Sequence, residues 1–325
     1  MQTPIAFQPF RYLRLSLTDR CNFRCRYCLP EMEQAFHPLD HTLRPSDWER
    51  LLPLLKDLGI RKVRLTGGEP TLHPHLLGMV GLLTSLGFEE TALTTNGFRL
   101  AKMAGELKAL GLTRVNVHLD SLDPSTFDRM SGTKGLFDRV LSGIQEAREA
   151  GLSPKLNAVL MKGENDGELE DFLEFSHREE VEVRFIELMP TGTNDQEFHR
   201  SFLPVMEAKR RLQERHWLIP LERDPLGGPS RRFQVAESRA KVGFIGASCE
   251  GFCDSCQRLR LTSEGFFKRC LFEPGGLNVR TLLRKGIPAD ELKGEVVRFL
   301  SEKWTYNPHV AGPVREPFPL AKIGG

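Results

Sequence analysis

The sequence predicts an α/β protein, a partial (β/α)6 barrel of the TIM type closed on one side by a C-terminal extension. Three observations predict it. Six strand-like segments alternate with helical ones over the first 190 or so residues. The polar and glycine-rich stretches fall just after the strand C-termini. The seven cysteines stand at the two ends of a long cysteine-free middle: Cys21, Cys25 and Cys28, then Cys249, Cys253, Cys256 and Cys270.

The elements follow in order. "YLRLSLT" (12–18) alternates like a strand and runs into the first cysteine loop. A helix is expected from Pro45 to Leu58, stopped by Gly59. "KVRLTGGEP" is a strand ending in a glycine turn, and a helical stretch from His75 to Leu86 leads to the strand "TALTTNG". A helix near 100–110 stops at Gly111 before the strand "RVNVHLD". Another, 136–150, stops at Gly151. "PKLNAVLM" and "VEVRFIELMP" complete the series around a helix near 169–177. Right-handed crossovers joining parallel strands are the economical connection. The strand C-terminal edge then carries the active site. After Asn194 the repeat breaks into a Pro/Gly-rich loop, short strands ("RRFQVA", "KVGFIG") and a helix near 287–303. Two regions are therefore expected, 1–194 as the barrel and 195–325 as the extension.

Composition narrows the class. The 325 residues are 40% hydrophobic and 27% charged, with 45 basic against 43 acidic side chains and a formal charge of +2. That balance speaks against a nucleic-acid partner, while leaving room for a local basic pocket that takes an anion. No apolar run is long enough for a membrane span, and the N-terminus lacks a signal-peptide pattern. A cytoplasmic location is expected, where clustered thiols serve metals or catalysis rather than disulfides.

"CNFRCRYC" places three thiols in Cys-x3-Cys-x2-Cys. Thiolates suit zinc, copper(I) or iron–sulfur clusters. A structural zinc wants four ligands, and no histidine stands at a finger-like spacing; His37 is nine residues beyond Cys28. A four-iron cluster held by three cysteines leaves one iron open to a small molecule. The second group, Cys253, Cys256 and Cys270, again offers three thiols, with Cys249 as an available fourth. Zinc and iron–sulfur are both open there. Beside it Arg258 and Arg260 alternate on one strand face, a pair suited to a phosphate or a purine edge. His73 and His75 in "TLHPHL" are assigned no metal role.

"CNFRCRYC" after a first strand, with "GGEP" after a later one, resembles the radical S-adenosylmethionine (SAM) superfamily. Cys253-x2-Cys256-x-Arg258-Leu259-Arg260 with Cys270, "RLTGGEPTL", "LTTNG", "RVNVHLDSLD", "MKGEND", "RFIELMP" and a terminal Gly-Gly are similar to its GTP 3′,8-cyclase family, across nearly the whole chain. The resemblance implies two 4Fe-4S clusters, on Cys21, Cys25, Cys28 and on Cys253, Cys256, Cys270. It implies SAM contacts at Tyr27, Gly68, His118 and Met189, although the family usually has serine where His118 stands. It implies GTP contacts at Arg14, Arg64, Thr94, Lys155, Arg258, Leu259 and Arg260. Catalytic roles are implied for Arg258, Arg260 and the tail glycines Gly324 and Gly325. The implied activity is a lyase reaction. A 5′-deoxyadenosyl radical takes the ribose 3′ hydrogen and GTP becomes (8S)-3′,8-cyclo-7,8-dihydroguanosine 5′-triphosphate, the first step of molybdenum cofactor biosynthesis. The implied partners are cyclic pyranopterin monophosphate synthase downstream and an electron donor such as flavodoxin or ferredoxin. The chain would act as a monomer or homodimer. A peptide-modifying radical enzyme and a zinc-stabilised binding module are the competing readings.

Overall fold

The computed structural model describes residues 10–29, 36–191, 193–224, 226–246, 256–301, 318 and 320–324. Six strands carry the barrel: β1 (Tyr12–Ser16), β2 (Lys62–Thr66), β3 (Glu90–Thr95), β4 (Arg114–His118), β5 (Ser153–Leu160) and β6 (Glu182–Glu187). Each pairs with the next in parallel. The extension adds β7 (Leu218–Pro220), β8 (Arg231–Val235), β9 (Lys241–Ile245), β10 (Arg258–Leu261), β11 (Phe266–Lys268) and β12 (Leu277–Asn278). The sheet order is β12-β11-β10-β1-β2-β3-β4-β5-β6-β9-β8-β7. The extension therefore lengthens both edges of the six-strand unit: β10 lies parallel to β1 and β9 parallel to β6.

The helices follow the expected rhythm: α1 (Pro45–Asp57), α2 (Leu76–Ser85), α3 (Leu100–Ala109), α4 (Pro124–Ser131), α5 (Phe137–Glu149), α6 (Leu169–Glu179), α7 (Asp195–Ser201), α8 (Val205–Gln213), α9 (Val279–Arg284) and α10 (Ala289–Ser301). Helix α4, and in the extension α7, α8 and α9, are additional to the expected set, although the start of α4 is written locally. The Asp123 side chain accepts from the Thr126 amide at 2.8 Å, and Pro124 opens the helix. No helix among the described residues is long and apolar enough to cross a membrane.

Strand alternation sorts the side chains. Leu13, Leu15, Val63, Leu65, Val115 and Val117 are fully buried in the main core. The intervening positions are polar: Tyr12, Arg14 and Ser16 on β1, Lys62, Arg64 and Thr66 on β2. A TIM barrel normally fills its interior with branched apolar side chains. Here the inner face is charged, and such a lining is tolerable only where its charges meet partners, water or a polar ligand.

Candidate active site

The first cysteine loop follows β1 directly. It turns on hydrogen bonds from the Cys28 and Leu29 amides to the Cys25 carbonyl, at 2.9 and 3.0 Å. Two neighbours donate toward the Cys21 sulfur, the Phe23 amide at 3.4 Å and the Asn96 side chain at 3.9 Å. Burial is the main influence on all three thiols: it pushes Cys21 up to about 11, Cys28 up to about 12 and Cys25 well above the usual thiol range. As thiolates they need a cationic partner in place of their protons, and an iron–sulfur cluster is such a partner. The donor set thus fits a cluster held by Cys21, Cys25 and Cys28. Among the described residues, no three His, Cys, Asp or Glu side chains close on one metal ion.

The "GGEP" turn grips this loop from below. The Gly68 amide donates to the Thr18 carbonyl at 2.6 Å and the Glu69 amide to the Arg20 carbonyl at 2.7 Å. A Cβ on Gly68 would stand 2.5 Å from the Asp19 carbonyl oxygen and closer still to that of Arg20. Glycine is therefore required here by backbone contact, before any ligand is considered. Gly68→Ala should push the cysteine loop outward and lower stability by about 1–3 kcal/mol. Thermal unfolding of the metal-free protein reads this, and a Tm equal to wild type would contradict the close approach. Glu69, buried and pushed up by that burial, accepts from the Thr71 amide and hydroxyl, the Thr95 hydroxyl and the Asn96 amide at 2.5–2.9 Å. It ties "TGGEP" to "TTNG" as a structural hub.

Tyr27 and His118 meet over Asp120. The Tyr27 hydroxyl donates to Asp120 Oδ2 at 2.8 Å and also contacts His118 Nε2, which lies 2.7 Å from the same carboxylate oxygen. Burial opposes charge on His118, but Asp120 outweighs it and holds the imidazole above its ordinary range. The "MKGEND" segment braces this group from behind. Its Asn165 donates to the carbonyls of Asp120 and Val159 at 2.6 and 2.8 Å.

A cavity of about 600 Å³ occupies the other end of the barrel, toward the strand N-termini. It is lined by Lys62, Arg64, Lys155 and Arg184 from the barrel, by the β7–β8 connection, and by Cys256 and Arg258 at the start of β10. The strand pattern of the sequence points to the strand C-terminal edge. The charged inner face instead extends the site through the barrel to its opposite end.

The cations here are only partly neutralised. Glu182 accepts from Lys155 Nζ at 2.8 Å, Arg184 Nε at 2.7 Å and Arg232 Nε at 2.9 Å. Burial opposes its charge, yet Arg184 and Lys155 prevail and hold it at about 2. Lys155 shares that carboxylate with two arginines, so burial dominates and lowers it to about 8. The opposite balance at the two ends of one ion pair follows from three cations facing one anion. Arg64 donates to Thr94 Oγ1 at 3.3 Å, while its Nε has no partner among the described residues. Arg260 Nη1 is likewise without one among those residues, and burial together with Arg14 and Arg258 pushes Arg260 down.

Of the second thiol group, Cys253 lies outside the described residues, as does Cys249. Arg258 Nε donates to Cys256 Sγ at 3.2 Å, and both Cys256 and Cys270 act on the Arg258 charge. Burial would raise the Cys256 thiol, but Arg258 turns the balance and lowers it. The Leu259 side chain is wholly buried in the main core beside Leu13, so only its backbone borders the site. Met189 packs with Leu271, Phe272 and Ile323, against the C-terminal tail. That tail enters the barrel: the Gly324 carbonyl accepts from Arg14 Nη2 at 2.8 Å, and a Cβ on Gly324 would stand 2.5 Å from Thr66 Oγ1. Gly325 lies outside the described residues. His73 stacks edge-on against Trp48 with centroids 5.6 Å apart and accepts from the His75 amide.

Lys62, Arg184 and Arg232 join the site without having stood out in the sequence. Lys62 precedes Arg64 by two residues, and Arg184 follows Glu182 by two, so strand alternation carried the signal for both.

Residues 15–176 match the family model described as the Radical SAM superfamily, and residues 181–308 match Molybdenum Cofactor Synthesis C. The chain is 40% identical over 308 residues to a GTP 3′,8-cyclase of Microcystis aeruginosa, covering 91% of this chain and 92% of the relative. It is 40% identical over 321 residues to one of Heliobacterium modesticaldum, covering 97% of each. Among solved structures, Streptococcus suis SuiB bound to S-adenosylmethionine aligns with a TM-score of 0.60 at 17% identity, over 88% of this chain and 67% of SuiB, a likeness of fold. With the cysteine loop, the "GGEP" turn and the paired arginines in place, the chain belongs to the GTP 3′,8-cyclase family of radical SAM enzymes.

Proposed function

We propose that this protein binds GTP inside the barrel and converts it to (8S)-3′,8-cyclo-7,8-dihydroguanosine 5′-triphosphate, the first step of molybdenum cofactor biosynthesis. The observation that carries this reading is the charged inner face itself. Along β4 it rises from Arg114 through Asn116 to His118, joining the cationic cavity to the first cysteine loop. A triphosphate supplies the anion that this incompletely neutralised interior lacks.

Residues 1–194 contribute the barrel and 195–325 the second thiol group, the cavity wall and the tail. Cys21, Cys25 and Cys28 hold one 4Fe-4S cluster, and Cys253, Cys256 and Cys270 the other. When bound, the first cluster with SAM supplies the chemistry that removes the ribose 3′ hydrogen. Tyr27, Gly68, His118 and Met189 border SAM. Asp120 fixes the Tyr27 hydroxyl and the His118 ring, so that an imidazole serves where the family usually has serine. Arg64, Thr94 and Lys155 take the triphosphate, helped by Lys62 and Arg184. Arg258 and Arg260 orient the base beside the second cluster, with the Leu259 backbone alongside. Arg14 exchanges between the Gly324 carbonyl and substrate, and Gly325 extends the same tail. Cyclic pyranopterin monophosphate synthase consumes the product, and a flavodoxin or ferredoxin supplies the electron.

Anaerobic enzyme carrying about eight irons per chain, given GTP, SAM and a reductant, should yield 5′-deoxyadenosine and a cyclised nucleotide. Loaded enzyme that leaves GTP unchanged would defeat the assignment. A second measurement follows from Lys155. Its charge is lost as pH rises through about 8 in the free protein, so GTP affinity should fall about tenfold between pH 7 and pH 9. Lys155→Gln should flatten that dependence, and an unchanged profile in the variant would assign the titration elsewhere.

A further inference from the structure

The inner faces of β4 and β5 repeat one order. Arg114, Asn116 and His118 succeed one another on β4, and Lys155, Asn157 and Val159 on β5. Each strand thus carries a cation, then an amide, then a residue at the level of the first cysteine loop. The register pairs Asn116 with Lys155 and His118 with Asn157, which sets the two amides one step apart on neighbouring strands. Asn116 is 5% exposed. The Oδ1 atoms of both Asn116 and Asn157 are buried and accept no hydrogen bond among the described residues. Buried acceptors are nearly always paired, so two orphans side by side mark a place where donors arrive with a ligand. An amide carries no charge, which suits it to hydroxyls rather than to phosphates, and it can turn either its carbonyl or its NH2 to the ligand.

We infer that Asn116 and Asn157 bind the vicinal hydroxyls of the substrate ribose. The inference rests on the reading of the site as a GTP site. With the phosphates on the cations and the 3′ hydrogen toward the first cysteine loop, the sugar falls at the level between them. Alternate residues on a strand are roughly 6–7 Å apart, so the amides stand one such step beyond Arg114 and Lys155. Holding both hydroxyls fixes the rotation of the ring about its phosphate anchor and so selects which ring hydrogen faces the cysteine loop. Asn116 and Asn157 act as positioning and specificity residues for a ribonucleotide.

Equilibrium binding of GTP, 2′-deoxy-GTP and 3′-deoxy-GTP to the anaerobically reconstituted full-length enzyme tests this. Each deoxy analogue should bind wild type about 3- to 10-fold more weakly than GTP. Asn116→Ala and Asn157→Ala should each weaken GTP by a similar factor and erase the penalty for one analogue. Serine at either position should restore part of the discrimination. Variants that weaken GTP and both analogues equally would overturn the inference, and so would wild type binding all three alike, a measurement independent of whether the variants fold. Wild type that binds none of the three overturns the GTP reading first and this inference with it. GTP binding without hydroxyl discrimination overturns this inference alone.

Discussion

Replacing Cys25 by alanine is expected to cut the iron of the reconstituted protein from about eight to about four per chain and to abolish 5′-deoxyadenosine formation. Cys25 lies at the centre of its turn: its carbonyl receives the Cys28 and Leu29 amides, and the residue is half-buried. The backbone bonds remain in the alanine variant, so the loop keeps its path while the cluster loses one of three protein ligands. The second thiol group belongs to the extension, beside β10, and should retain its metal. GTP binding should persist, because the cationic cavity is built from other residues. Iron analysis and nucleotide binding on one sample separate the outcomes. Loss of all iron would show that the two clusters assemble together, and full retention would remove Cys25 from the ligand set.

Glu182→Ala should have the largest effect on stability. The carboxylate faces Lys155, Arg184 and Arg232 and is almost wholly buried. Its removal leaves those cations facing one another at low solvent exposure, a loss of about 3–5 kcal/mol. GTP should raise the Tm of the variant more than that of wild type, because the triphosphate replaces the missing negative charge. The pH dependence has a definite sign. The folded carboxyl is held at about 2, below its unfolded value of about 4.3. The stability it contributes is thus fully present above about pH 4.3 and is lost as pH falls toward 2. In that window the wild-type curve should fall more steeply than the variant's. Equal acid slopes, or an unchanged Tm in Glu182→Ala, would show that the three cations are stable without this carboxylate.

Much of the architecture is legible from the chain. The strand order β1 to β6, the helices between them apart from α4, and the glycine stops at Gly59, Gly111 and Gly151 all come from periodicity and local backbone preference; each of these glycines has positive φ. The extension is harder to read. That β9 and β10 join opposite edges of one sheet depends on long-range pairing, β10 with β1 across well over a hundred residues of sequence, for which no local signal exists. In the candidate site, the cysteine spacing and the arginine pair at 258 and 260 are visible because they are local patterns. The sequence marks Gly68 as a place of close ligand approach, and its tight contact with the Asp19 and Arg20 carbonyls emerges only from the packing. Leu259 shows the reverse: it lies within a motif, and strand alternation turns its side chain into the core.

The sequence by itself determined the kind of chemistry, because three thiols in eight residues and a glycine turn after a strand depend on near neighbours alone. The tertiary structure decided which polar side chains meet in the interior. It turned alternate residues of six parallel strands toward a common axis. There Glu182 meets three cations, and two asparagine carbonyls find no donor among the described residues. The energy of a buried polar group depends on what the other strands place beside it, and only the assembled barrel fixes that.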